Sequence, residues 1–188
     1  MPTTKYQLLN PINDKFLRDT IIGFLLAGRD TTASALTWFF WLLSENPRVV
    51  TKIRQEMDTI LPRGSSSGQE KLSYDSMKYL KKLVYLHGTL CETMRLYPPV
   101  PVELVSPVKT NVLPSGHKVE ANSKIFIFIY ALEFKPERWI SETGTLRHVP
   151  SFKFLAFHGG PRSCLGKQIA TNLMKTVVVE ILQNFDIK

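Results

Sequence analysis

The sequence has only two cysteines, Cys91 and Cys164, among its 188 residues. Two are too few for a disulfide-rich secreted scaffold or for a zinc site built from several cysteines. The first residues also lack the apolar core of a signal peptide. Basic residues outnumber acidic ones by 24 to 16, but no run of five or more occurs, so no nucleic-acid partner is expected.

One apolar stretch, residues 21–43, is long enough to span a bilayer. It contains Arg29 and Asp30, each of which would cost about 2.5–3.5 kcal/mol near the centre of a membrane helix. The stretch therefore predicts a buried helix of a soluble protein, and nothing in the sequence is expected to anchor this chain to a membrane. The composition, with 44% hydrophobic and 21% charged residues, is that of an ordinary globular chain.

Hydrophobic spacing predicts a mostly α-helical chain with a small β region. Four helices are expected, from Asn13 or Asp14 to about Ser44, over 47–60, over 80–96, and from about Gly166 onward. The first is apolar on nearly all sides, which is typical of a central helix. Asn46 and Pro47 separate the first two helices.

The β region is predicted between the third and the last helix. Residues 124–130 alternate β-branched and aromatic side chains and predict a strand buried on both faces. Residues 114–116 predict a turn, and residues 63–68 a flexible surface loop. Residues 132–160 are rich in proline, glycine and aromatics, so an irregular segment is expected there.

The strongest chemical signal is the segment 157–166, which reads FHGGPRSCLG. It places Cys164 directly before a helix, where the helix dipole favours the thiolate form. Gly160 and Gly166 permit close backbone approach to a flat ligand, and Arg162 is suited to bind a carboxylate on it. A thiolate shielded by Phe157 suits an axial iron ligand. A cysteine alone is more often a buried structural residue, but the complete spacing Phe-x-x-Gly-x-Arg-x-Cys-x-Gly favours the ligand.

The long first helix carries an unusual polar pair. Asp30 and Thr31 add an acid and a hydroxyl to an apolar helix, and Gly28 removes a side chain from one face of it. A buried acid and hydroxyl can order water and pass protons. The alternative is a helix kink whose threonines bond to their own backbone.

Glu92 and Arg95 are three residues apart on one predicted helix and can form an ion pair. The alternative is an exposed pair contributing at most about 1 kcal/mol. Cys91 is interpreted as a small apolar core residue. The four histidines show no metal-ligand spacing and are assigned no role: His87, His117, His148 and His158.

Four segments, in the same order, resemble motifs of the cytochrome P-450 (haem-thiolate monooxygenase) superfamily. They are AGRDTT at 27–32, ETMR at 92–95, PERW at 136–139 and FHGGPRSCLG at 157–166. The segments around them, 14–20, 96–101 and 113–117, are similar to plant enzymes that hydroxylate fatty acids or alkanes. The resemblance implies a partial cytochrome P-450 fold: a central long helix, a Glu-x-x-Arg helix, a haem-loop helix and a small β region.

The resemblance also implies roles for the motif residues. Cys164 would be the axial ligand of the haem iron. Four further residues would surround the haem: Phe157, Gly160, Arg162 and Gly166. Asp30 would relay protons and Thr31 would bond to iron-bound oxygen. Glu92, Arg95 and Arg138 would form a structural, non-catalytic cluster.

The implied reaction is haem-dependent monooxygenation, which inserts one atom of O₂ into a C–H bond. The resemblance implies haem b as cofactor and electrons from NADPH through NADPH-cytochrome reductase, with an aliphatic fatty acid or alkane as substrate. The full-length relative would lie on the cytosolic face of the endoplasmic reticulum membrane through an N-terminal anchor. This chain lacks that anchor and is expected to be cytosolic.

The chain departs from the resembled family in two ways. Residues 1–188 correspond only to the C-terminal half of the family's domain, and a stretch is missing near 131–132, where the strand joins the PERW segment directly. This join is expected to keep Glu92, Arg95 and Arg138 from assembling. No basic residue lies between Pro101 and Pro107, where many relatives place one against a haem propionate.

A half-domain is expected to expose apolar residues of the central helix, namely Phe24, Leu25, Trp38, Phe39 and Trp41. The alternative function is therefore a truncated, inactive fragment that does not hold haem productively. A basic haem- or protein-binding module without turnover is a third alternative. A truncated gene, a mis-spliced product or an incomplete gene model would each explain the departures.

Overall fold

The computed structural model describes residues 14–61, 76–129, 131 and 133–187. Its helices are α1 (Asp14–Glu45), α2 (Pro47–Ile60), α3 (Ser76–Lys82), α4 (Val84–Leu96) and α5 (Lys167–Asn184). Short 3-10 turns lie at Pro136–Trp139, Ser151–Lys153 and Gly160–Arg162. Four expectations lie partly or wholly outside the described residues: Asn13 as a helix start, the loop at 63–68, the strand end at Tyr130 and the join at Leu132.

Helix α1 follows its predicted bounds, but only its C-terminal part is buried. Phe39 is fully buried, which contradicts the expectation that it would be exposed. Leu25, at 67% exposure, and Trp41, at 47%, confirm the expected exposure of the apolar face, as do Phe24 and Trp38. Within the described residues, no helix is long and apolar enough to cross a membrane.

The helix predicted over 80–96 is two helices, because α3 ends and α4 begins on either side of Leu83. The buried Lys175 on α5 donates to the carbonyls of Leu80 and Leu83 at 2.8 and 2.9 Å. Glu56 on α2 accepts the amides of Tyr85 and Leu86 at 2.6 and 2.9 Å. Side chains from other helices thus satisfy both ends of the break, which a local apolar pattern could not reveal.

In the part of the chain that the structure describes, the β region consists of two antiparallel pairs. Strand β1 (Val102–Val105) pairs with β4 (Ile125–Phe128), and β2 (Asn111–Val112) pairs with β3 (Lys118–Val119). The predicted turn lies between β2 and β3, where Gly116 has a φ of 86° and its amide bonds to the carbonyl of Leu113. The prediction that β4 would be buried on both faces is wrong, because Phe128 is 72% exposed.

The core lies among the C-terminal part of α1 and helices α2, α4 and α5. Helix α5 turns one apolar row inward, with Met174, Val178 and Leu182 buried, while Ile169 and Leu173 of the adjacent row are exposed. The described part of the segment 132–160 is irregular, as expected, apart from two 3-10 turns, the start of a third at Gly160 and one isolated bridge.

Candidate functional site

The loop before α5 is closed by a backbone hydrogen bond from the Cys164 amide to the Phe157 carbonyl, 2.8 Å long. Between these residues the chain bends at two positions of positive φ, His158 at 58° and Gly160 at 70°. The bend presents the thiol of Cys164 at the surface, where the residue is exposed. This geometry is that of a ligand-presenting loop and differs from that of a buried structural cysteine.

The thiol lies among apolar residues, and helix α1 is close to the loop that carries it. A Cβ placed on Gly166 would lie 3.8 Å from Cys164 Sγ and 3.8 Å from a ring carbon of Phe24 on α1. Leu165 and Ile169 beside it are exposed. Within the described residues, the amides of Leu165 and Gly166 donate to no acceptor. These two N–H groups follow Cys164 directly in the chain and can support a thiolate.

Two other predicted residues of the loop differ in their surroundings. Phe157 is half-buried, with its ring centre 6.3 Å from that of Phe154 and 5.6 Å from the Lys167 ammonium. Arg162 is exposed, and in the described part of the chain no acidic group pairs with it. The Arg162 guanidinium is therefore free to bind an anionic group.

Asp30 and Thr31 do not form the buried pair that the sequence predicts. Asp30 is exposed and forms an ion pair with Arg29 at 2.8 Å. The Thr31 hydroxyl donates to the Ala27 carbonyl one turn earlier, at 2.7 Å. The local arrangement is the self-bonded threonine of the alternative interpretation, and neither residue forms a hydrogen bond with the cysteine loop.

Glu92 is the centre of a buried hydrogen-bond cluster. Arg95 binds it in a bidentate manner at 2.8 Å, and the Trp139 indole and the Lys135 amide each donate to it at 2.8 Å. Arg138 adds a longer contact of 3.4 Å. Burial alone would raise the pKa of Glu92, but the hydrogen bonds from Arg95, Lys135 and Trp139 outweigh it and lower the pKa below its usual value.

The expectation that the join near 131–132 would keep this cluster from assembling is wrong. The 3-10 turn Pro136–Trp139 packs directly against α4, and the Arg95 guanidinium also donates to the Glu133 carbonyl. Gly88 permits the close approach, since a Cβ there would lie 3.1 Å from Trp139 Cβ and 3.2 Å from the Pro136 carbonyl oxygen. Contacts with α4 position the Pro136–Trp139 turn, and the short connection from β4 does not prevent them.

His158 has no role predicted from the sequence, but in the structure it contacts the buried carboxyl group of Glu103. Its Nδ1 lies 2.9 Å from an oxygen of Glu103 on β1. Glu103 is only 5% exposed. The spacing of the two residues along the chain contains no signal of this contact; the only local hint is an acidic residue within an otherwise apolar strand.

The fold and the cysteine loop agree with a comparison against protein families. The family model for cytochrome P-450 matches residues 4–188, and the chain belongs to this family. The family implies haem iron as cofactor and a reductase as electron supply.

Several plant proteins are among the curated relatives of the chain. Alkane hydroxylase MAH1 of Arabidopsis thaliana is 54% identical over 99% of this chain. A noroxomaritidine synthase of Narcissus aff. pseudonarcissus is 44% identical and cytochrome P-450 86B1 of Arabidopsis thaliana 41% identical, each over 94% of the chain. The chain spans only 37%, 37% and 34% of the lengths of these three relatives.

Proposed function

We propose that this chain is the C-terminal part of a haem-dependent monooxygenase that inserts one atom of O₂ into a C–H bond of a fatty acid or alkane. The observation that carries the proposal is the exposed Cys164 thiol, held before α5 by the hydrogen bond to Phe157. The similarity to an alkane hydroxylase supports the aliphatic substrate. An aliphatic chain also suits Phe24, an exposed apolar residue of α1 whose ring lies beside Gly166.

The residues around Cys164 fit a thiolate-ligated haem. The thiol is exposed, Phe24 and Leu165 supply apolar surface, and the amides of Leu165 and Gly166, which follow Cys164 in the chain, have no acceptor among the described residues. Cys164 would ligate the iron, Arg162 would bind a propionate, and the bend at Gly160 and the bare Gly166 would leave room for the macrocycle. The bound haem supplies the oxygen chemistry, and these residues bind and orient it.

Asp30 and Thr31 are proposed to handle protons. Asp30 is exposed, so solvent water reaches the carboxyl group that would relay protons. The Thr31 hydroxyl already donates to Ala27, which leaves its oxygen lone pairs free to accept a hydrogen bond. The proposed role of the cluster of Glu92, Arg95 and Arg138 is structural. Glu92 is fully buried, and its carboxylate oxygens already accept hydrogen bonds from Arg95, Lys135 and Trp139.

The full-length protein would take electrons from NADPH through a reductase, and it would lie on the cytosolic face of the endoplasmic reticulum membrane.

We also propose that this chain has an internal deletion near residues 131–132. The alignment with the alkane hydroxylase runs over 198 positions, and 198 − 188 leaves at least 10 positions without a residue of this chain. This observation favours the second candidate, a fragment that no longer turns over.

The test is haem reconstitution of residues 1–188, followed by reduction and addition of carbon monoxide. We expect a strongly red-shifted Soret band, which Cys164→Ala abolishes because it removes the ligand. Cys91→Ala is the matched control, since Cys91 is buried, and it should retain the band. The absence of the band in a folded chain, or its persistence in Cys164→Ala, would contradict ligation by Cys164 and favour the inactive fragment.

A further inference from the structure

We infer that the contact between His158 and Glu103 holds the Cys164 loop in its shape, which makes Glu103 a positioning residue for the thiolate. The inference rests on the proposed function only in giving Cys164 the role of haem ligand. The contact itself is a property of the chain, with Nδ1 of His158 2.9 Å from Oε2 of Glu103.

Glu103 depends on His158 for compensation of its charge. Its side chain is nearly inaccessible, and among the described residues no other group forms a hydrogen bond or an ion pair with it. A carboxylate removed from water is costly unless a partner compensates it. The 2.9 Å contact therefore ties the His158 ring to the Glu103 carboxyl group.

His158 also has a backbone conformation that requires support. Its φ of 58° is in the left-handed region, which it shares with only Asn122 among the described non-glycine residues. Such a conformation costs on the order of 1–3 kcal/mol and persists where surrounding contacts enforce it. The contact with Glu103 supplies that enforcement, because it ties the His158 ring to strand β1.

The bend at His158 determines where Cys164 lies. His158 directly follows Phe157, whose carbonyl accepts the Cys164 amide. A change of the His158 backbone would therefore redirect the acceptor that closes the loop. Glu103, on a strand that sequence reasoning did not connect with this loop, acts on Cys164 through His158.

The test is hydrogen–deuterium exchange of the segment 155–166 in the haem-free chain, at one fixed pH, for three variants. Glu103→Gln keeps the shape and removes the charge. His158→Asn removes the ring but tolerates a positive φ. The third variant combines both. We expect the Cys164 amide to exchange about three- to ten-fold faster in each single variant, and the double variant to be no faster than the singles.

The matched control is Glu120→Gln, which also removes a carboxylate charge, from the exposed ion pair with Lys118 in the hairpin. It should leave exchange in the loop unchanged. Wild-type exchange rates in Glu103→Gln, additive effects in the double variant, or an equal effect of Glu120→Gln would each overturn the inference. Circular dichroism of each variant shows whether the chain remains folded, and His158→Asn provides the measurement if Glu103→Gln unfolds.

A second measurement uses the haem-loaded chain. The absorbance maximum of the reduced carbon monoxide complex should shift in Glu103→Gln and remain in place in Glu120→Gln, because a displaced thiolate changes the iron's electronic environment. If wild-type chain shows no such complex, the proposed function fails while the exchange data still decide the loop contact. An unshifted maximum combined with faster exchange would reject Glu103 as a positioning residue.

Discussion

At the scale of single residues, the described part of the chain places several ionisable groups in the interior and compensates them differently. Glu92 accepts five hydrogen bonds from four residues. Lys175 has two carbonyl acceptors, and burial lowers its pKa to about 8. His87 lacks such compensation: burial lowers its pKa to about 4, and the positive charges of Lys175 and Lys167 add to this effect.

This difference predicts that the chain loses stability on mild acidification. The unfolded chain binds a proton at His87 near pH 6.5, whereas the folded chain resists protonation until about pH 4. Protonation of His87 therefore favours unfolding, so its contribution is complete above about pH 6.5 and falls as the pH drops toward 4. We expect a loss of about 2 kcal/mol in the free energy of unfolding between about pH 7 and pH 5.

The measurement is urea denaturation of the wild type and His87→Gln across that pH range. The variant cannot take up the proton, so its stability should depend less on pH. Comparing the two slopes removes the contribution of the carboxylates that both chains share. Equal slopes would show that His87 is not the group responsible.

At the scale of elements, the approach of the Pro136–Trp139 turn to α4 depends on a glycine. Gly88→Ala would place a methyl group 3.1 Å from Trp139 Cβ and 3.2 Å from the Pro136 carbonyl oxygen. Neither neighbour can move independently, because Trp139 also donates to Glu92. We expect a loss of about 1–3 kcal/mol in the free energy of unfolding.

Gly28→Ala provides the matched control for this element contact. A Cβ on Gly28 meets nothing within 4 Å, so the haem-free chain should gain up to about 1 kcal/mol from the better helix former. Denaturation curves of the two variants check both expectations. Equal effects of the two substitutions would show that helix propensity, and not the contact with the turn, decides the result.

The elements themselves were predictable to different degrees. The bounds of α1, α2 and α5 follow from local apolar spacing and from Pro47, and all three were placed correctly within a residue or two. The break between α3 and α4 was not predictable, because the Leu83 carbonyl bonds to Lys175, 92 residues away. The exposure of β4 was also missed, since its sequence is apolar while, among the described residues, its sheet has one other strand.

At the scale of the whole molecule, the apolar surface of α1 is the dominant feature. Its N-terminal part exposes Ile21, Leu25 and Leu26 at 59%, 67% and 65%. Exposed apolar patches of this kind drive association. The curated relatives extend well beyond the region that this chain matches, so their additional residues could cover this surface.

We therefore expect the isolated chain to self-associate and Leu25→Glu to reduce that association. The substitution adds one negative charge and removes a large apolar side chain from the exposed face. Ala33→Glu, at an exposed position of the same helix, adds the same charge without removing a large apolar group. Sedimentation velocity of the three proteins should show a larger monomer fraction only for Leu25→Glu, and an equal change in Ala33→Glu would assign the effect to charge.

Local residue patterns were enough to indicate the family, because the four motifs are short segments in which neighbouring residues form the pattern. They also located Cys164 before a helix and Glu92 beside Arg95, since both arrangements depend on positions a few residues apart. Three outcomes came from the folded structure: Arg138 and Trp139 reach Glu92, Asp30 faces solvent, and Glu103 contacts His158. These outcomes depend on burial and on contacts between elements distant in sequence, which local residue patterns do not specify.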